Sequence, residues 1–246
     1  MLILDGCDGI ENIGVPNGLP SSLSTAVTEP EAAREEMIET NSRFCHGRLA
    51  NRYEGTWSSL KWCRVERCPN LDTIFDTGVR CELLETIWVS DLLMARGLGT
   101  KRDLIRTFDI LCSAFENLQH LHLHSCPRLL FALPVFDLNY FNLQTIHIMH
   151  CGDLKHVFVM REDSEPTEGR AFHRCLRFPR LTTIHLHDLP KLQHICEVKT
   201  MLASALETIR IRGCFGLRSL PAVAVREPGQ RRPTVEIEKD VWDALE

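Results

Sequence analysis

The sequence predicts an α/β solenoid of stacked coils, with a curved parallel sheet on the concave face and an irregular or short helical convex side. Three observations predict it: an apolar spacing that recurs along the chain, a cysteine fixed at one place in it, and histidines fixed at others. Counting from Leu118 as offset 0, Leu121, Leu123, Cys126, Leu129 and Ala132 fall at offsets 3, 5, 8, 11 and 14. The same ruler fits from Leu143, Leu181 and Leu206, and earlier from Leu60 and, less completely, Leu84. Leu2, Leu4, Cys7, Ile10 and Ile13 fit offsets 3 to 14 of a further repeat whose offset 0 would precede Met1. With 44% hydrophobic residues, six matches occur by chance in roughly 1 of 140 registers, so five further placements are no accident.

The pattern L-x-x-L-x-L-x-x-C-x-x-L-x-x-L is that of a leucine-rich repeat. Offsets 3 and 5 alternate with 4 and 6, which gives each repeat a short strand with one face inward. Offsets 8, 11 and 14 turn the chain back while still pointing apolar groups into the coil. No repeat buries its leucines alone, so the strands must stack into one parallel sheet.

Taken in order, residues 1–13 form a partial N-terminal repeat, which places the start of the chain inside a repeat, as in a fragment or excised domain. Residues 14–56 are a polar insert. Within it Thr28 and Glu31 have capping-box spacing and Pro30 suits a first turn, so a short acidic helix is expected. Residues 57–222 carry the remaining repeats. Their starts are spaced by 24, 34, 25, 38 and 25 residues, and the excess falls into inserts near 96–115 and 158–177. In the first, Leu104, Phe108, Leu111 and Phe115 share a helical face; the second, with "REDSEPTEGR", reads as a loop. Residues 223–246 break the pattern, and a strand through Val235 and Ile237, with Trp242 over the last leucines, is the expected cap.

Composition narrows the function. The formal net charge is −5, opposite in sign to the basic balance of most nucleic-acid binders. There is no apolar run long enough to span a bilayer and no basic, secretory-type start. The 11 cysteines in a chain of this length read as reduced thiols of a cytoplasmic protein. "GLGTKRD" lacks phosphate-loop spacing, and no G-x-S-x-G, H-E-x-x-H or C-x-x-C occurs, so no catalytic residue is expected.

The offset-8 cysteines, Cys7, Cys68, Cys126, Cys151 and Cys214, are expected to be buried structural residues of a turn, because Leu92 and Leu189 replace them elsewhere. Offsets 4 and 6 point out of the sheet. There His122, His147 and His185 share one column and His124 and His187 the other, together with Arg64, Glu66, Trp88, Met149, Arg210 and Arg212. This face is either a solvated polar surface or a protein-binding one. Zinc takes a closed tetrahedral cluster rather than an open column, so no metal is expected. Repulsion along the ladder should lower the histidine pKa values, and an acidic partner should bind more tightly below neutrality.

"CPNL", "CPRL", "CGDL" and "CFGL", the phrase "FPRLTTIHLHDLPKLQHI" and the closing "LRSLPAVAVREPGQRRPTVEIEKDVWDALE" are more specific than a generic repeat. Together they resemble the C-terminal repeat domain of plant intracellular disease-resistance receptors, particularly the coiled-coil nucleotide-binding class of grasses. The resemblance implies a non-catalytic recognition domain. Its implied partner is a protein: a pathogen effector, a host guardee, or the receptor's own nucleotide-binding domain. No cofactor is implied, since nucleotide binding would belong to a domain absent from this chain. The alternative is a substrate-recruiting subunit of a ubiquitin ligase, but the residues after each Cys lack the Ile-Thr-Asp-like run of such repeats.

Overall fold

Every repeat contributes one strand to a single parallel sheet. The computed structural model describes residues 1–7, 59–75, 81–99, 115–135, 140–160, 175–196, 200–223 and 232–245. The main sheet holds β1 (Leu2–Asp5), β2 (Trp62–Glu66), β4 (Thr86–Ser90), β6 (His120–His124), β8 (Thr145–Met149), β11 (Thr183–His187), β14 (Thr208–Arg212) and β16 (Thr234–Ile237), in that order. All its pairings are parallel, and the register aligns equal offsets: Leu121 with Ile146, Ile146 with Ile184, Ile184 with Ile209. The β-branched and alternating character of "TIHIM" and "TIHLH" suits a pleated strand covered on one face. Accordingly, offsets 3 and 5 are buried and offsets 2, 4 and 6 are half-buried in β2, β6, β8 and β11.

Each of the first seven strands of the main sheet ends in the same turn. Gly6, Arg67, Asp91, Ser125, His150, Asp188 and Gly213, all at offset 7, adopt positive φ between 50° and 63°. The N–H groups of all but Gly213 donate across to the next coil's offset-6 carbonyl, as from Asp91 to His124 at 3.0 Å and from His150 to His187 at 2.9 Å. Those carbonyls have a second lone pair, and the offset-8 thiol supplies a second donor. Sγ of Cys68, Cys126, Cys151 and Cys214 lies 3.2–3.4 Å from the carbonyl two residues earlier, and Sγ of Cys7 lies at 3.6 Å. Burial pushes Cys68 and Cys214 up to about 11 and Cys63 and Cys81 up to about 12, so these thiols stay protonated. The neighbouring Cys126 thiol and burial likewise push Cys151 up. A protonated, buried thiol is a weak donor rather than a nucleophile.

Away from the main sheet, the described residues form short strands instead of helices. β3 (Thr73–Phe75) pairs with β5 (Gly97–Gly99). β7 (Phe131–Val135), β9 (His156–Met160) and β12 (His194–Cys196) make a second parallel sheet. A third contains β10 (Cys175–Arg177), β13 (Thr200–Leu202) and β15 (Ala222–Val223). The aromatic and β-branched residues there favour extended backbone over a helix. Consecutive residues such as Val157 and Phe158, or Ile195 and Cys196, are buried. The strands also take up the flanks of the two expected inserts, at 97–99, 158–160 and 175–177. The expected acidic helix, Ile10 and Ile13, the helical face of Leu104, Phe108 and Leu111, and the "REDSEPTEGR" segment lie outside the described residues.

At the C-terminus β16 extends the main sheet and α1 (Lys239–Asp243) follows it. The expectation that Trp242 covers the last leucines is corrected. Trp242 is 56% exposed, whereas Val241 is fully buried, because a helical turn presents only one of two adjacent residues to the core. Glu238 completes the end of the stack: its carboxylate accepts the Gly213 N–H at 2.7 Å, where earlier coils use a carbonyl.

Candidate partner-binding face

The outer face of the main sheet is organised by column. Along offset 4 the register runs Ile3, Arg64, Trp88, His122, His147, His185, Arg210, Glu236. Neighbouring strands lie about 4.8 Å apart, which is also the spacing of packed rings. The Arg64 guanidinium carbon sits 5.9 Å from the Trp88 ring centroid, and Trp88 stacks on His122 at 4.7 Å. His122 meets His147 edge-on at 4.8 Å, and His147 stacks on His185 at 4.6 Å. Arg210 ends the row in an ion pair with Glu236 at 2.9 Å. At the other end the Arg64 guanidinium also pairs with Glu66 at 2.8 Å.

The offset-6 column is less regular. His124 and His187 are not adjacent, because Met149 stands between them in the register. His150, at offset 7, bridges the gap, with its ring 5.1 Å from His124 and 5.4 Å from His187. Periodicity could not reveal this, since a strict two-residue alternation places offset 7 on the buried face. The positive φ at that position turns the side chain outward instead. Asp188, at the same offset one coil on, joins the group: His150 Nδ1 lies 3.0 Å from Oδ2 and His187 Nε2 lies 3.5 Å from Oδ1. Arg212 is exposed further along this column, and Glu66 is half-buried near its start.

Burial dominates the protonation of the central row. His147 is held down to about 4, first by burial and then by His122, His185 and His120. His122 is lowered by burial and His120, and His185 by burial and Arg210. Mutual repulsion, the expected cause, therefore comes second. These histidines take up protons further below neutrality than a free imidazole does, and the fixed positive charge on this face at neutral pH includes Arg64, Arg210 and Arg212.

A stability consequence follows. Between 6.5 and about 4 the unfolded chain binds more protons at residue 147 than the folded chain, so stability falls as pH falls through that window. Because His147 is only half-buried, solvent screening reduces the contribution to about 1–2 kcal/mol. Replacing His147 with Gln should flatten the acid limb of urea-unfolding free energy in this range. An unaltered slope would show that the imidazole is freely solvated.

Stacked coils of this kind, each giving one strand to a parallel sheet and most holding a turn through a buried thiol, define a leucine-rich-repeat domain, a class that works through protein interactions. The family model described as plant disease resistance protein RPS2-like, leucine-rich repeats, matches residues 104–227, half of the chain, and the chain belongs to this family. A candidate disease resistance protein of Arabidopsis thaliana, At4g19050, is 27% identical over 143 residues, which cover 55% of this chain and 10% of that protein. The chain thus spans about a tenth of that relative's length. No solved structure matches the chain. Among the described residues no helix is long and apolar enough to cross a membrane.

Proposed function

We propose that this chain is the non-catalytic recognition domain of a cytoplasmic plant immune receptor. In this reading it binds a pathogen effector or a host guardee, or holds the receptor's own nucleotide-binding domain in its inactive arrangement. The unbroken row from Arg64 through Trp88, His122, His147 and His185 to Arg210 carries the reading. Stacked rings on a rigid sheet lose little side-chain entropy on binding, and Trp and Arg are the residues that most often anchor protein interfaces.

The test replaces Trp88, His122, His147 and His185 together with Ala in a receptor carrying this domain. Effector-triggered and spontaneous cell death are then scored in leaves at matched protein level. Loss of the triggered response supports effector or guardee binding, and spontaneous death supports the autoinhibitory contact. A wild-type result in both assays would remove this face from the function.

A further inference from the structure

Among the described residues, one group of three metal-competent side chains comes together: His150, His187 and Asp188, whose ligand atoms all lie within 4.8 Å of one another. We propose that these three residues form a binding site for a divalent transition-metal ion of the zinc type. The donor set is two imidazoles and one carboxylate, which suits zinc, nickel or copper and leaves calcium and magnesium poorly served.

The geometry follows from the backbone. His150 and Asp188 occupy the same left-handed turn position in adjacent coils, with φ of 55° and 51°. The His150 N–H donates to the His187 carbonyl at 2.9 Å, and the Asp188 N–H donates to the Arg212 carbonyl at 2.9 Å. All three residues are therefore fixed to hydrogen-bonded ends of β8 and β11 rather than to a loop. Zinc with nitrogen and oxygen ligands at about 2.0–2.2 Å gives tetrahedral edges of about 3.4 Å. The contacts from Asp188 to the two rings, 3.0 and 3.5 Å, bracket that value. Asp188 presents a different oxygen to each ring, so one carboxylate lies between both imidazoles.

A second observation shows what leaves room for this carboxylate. An added Cβ at Gly213 would lie 2.3 Å from Asp188 Oδ1. The glycine of the next coil leaves the space that the carboxylate oxygen fills. The side chains remain about half exposed, so the fourth coordination position faces solvent on the same outer face as the ring row. A bound ion would tie together two coils whose starts are 38 residues apart, the widest of the spacings from Leu60 onward.

The intact chain, stripped with chelator, is titrated with zinc by calorimetry and with cobalt by visible absorption. One ion per chain is expected, with a cobalt spectrum of nitrogen and oxygen ligation and no thiolate charge-transfer band. Asp188→Asn and His150→Gln should each weaken zinc binding at least tenfold, while His194→Gln, on a histidine of the second sheet, leaves it unchanged. Both ligand variants change half-exposed side chains, and circular dichroism confirms that they fold. The proposal is overturned by no saturable uptake, by a thiolate band, or by an affinity that the ligand variants leave intact or His194→Gln lowers equally. In those cases the three side chains form only a hydrogen-bonded group.

Discussion

Ile148→Ala is expected to lower the unfolding free energy by about 2–5 kcal/mol, the usual cost of truncating a buried Ile. Ile148 is fully buried at offset 5 of β8, with Leu123 beside it in β6 and Leu186 beside it in β11. A cavity at this place loses contacts on both sides, and neither strand can close in without breaking its own register. Ile237 occupies the same column at the end of the described sheet, half-buried and paired in the register with Ile211 on one side. Its replacement by Ala should cost about 1 kcal/mol, since a partly exposed site loses less transfer free energy and leaves less of a cavity. Urea denaturation of the two variants measures the contrast. Equal costs would contradict a stack held by nearest-neighbour coils, the principle on which the fold rests.

Gly216→Ala is expected to cost about 1–3 kcal/mol or more, in the manner of an overpacked core. An added Cβ would lie 2.6 Å from the Pro190 carbonyl oxygen and 3.1 Å from that of Leu192. Both atoms are backbone, and the turn that holds them is pinned by the Leu192 N–H donating to Leu189 at 3.1 Å. There is no flexible side chain to move aside. Gly152 is the internal control, because its added Cβ meets only the Pro127 carbonyl oxygen, at 3.9 Å. Gly152→Ala should therefore be close to neutral in the same denaturation series. A Gly216→Ala protein as stable as wild type would mean that adjacent coils are not in contact at this turn.

Most of the fold is legible in the sequence because a repeat displays the same physical constraint several times. Leu121, Ile146, Ile184 and Ile209 align in the register at the offset that the ruler assigns them. Other features escape it because they depend on backbone that periodicity does not describe. The ruler has no term for the buried residue three places before five of the repeat starts: Cys81, Phe115, Tyr140, Phe178 and Ala203. There each offset-0 N–H finds its carbonyl partner, as Leu84 does at Cys81 at 3.0 Å. The far-side strands are missed for a similar reason. Their buried residues are consecutive, which neither a helical nor a strand period encodes.

The outer face divides in the same way. The sequence by itself determined which residues face outward and that Trp88, His122, His147 and His185 share one column, because alternation along a strand fixes side-chain direction. Only the tertiary structure decided which of them touch. It turned His150 outward through a left-handed turn, with its ring between those of His124 and His187. It also set the Asp188 carboxylate into the space left by Gly213. The physical reason is that a repeat specifies direction and height within one coil. Contact between coils depends on the number of residues separating them and on the few backbone positions that depart from the period.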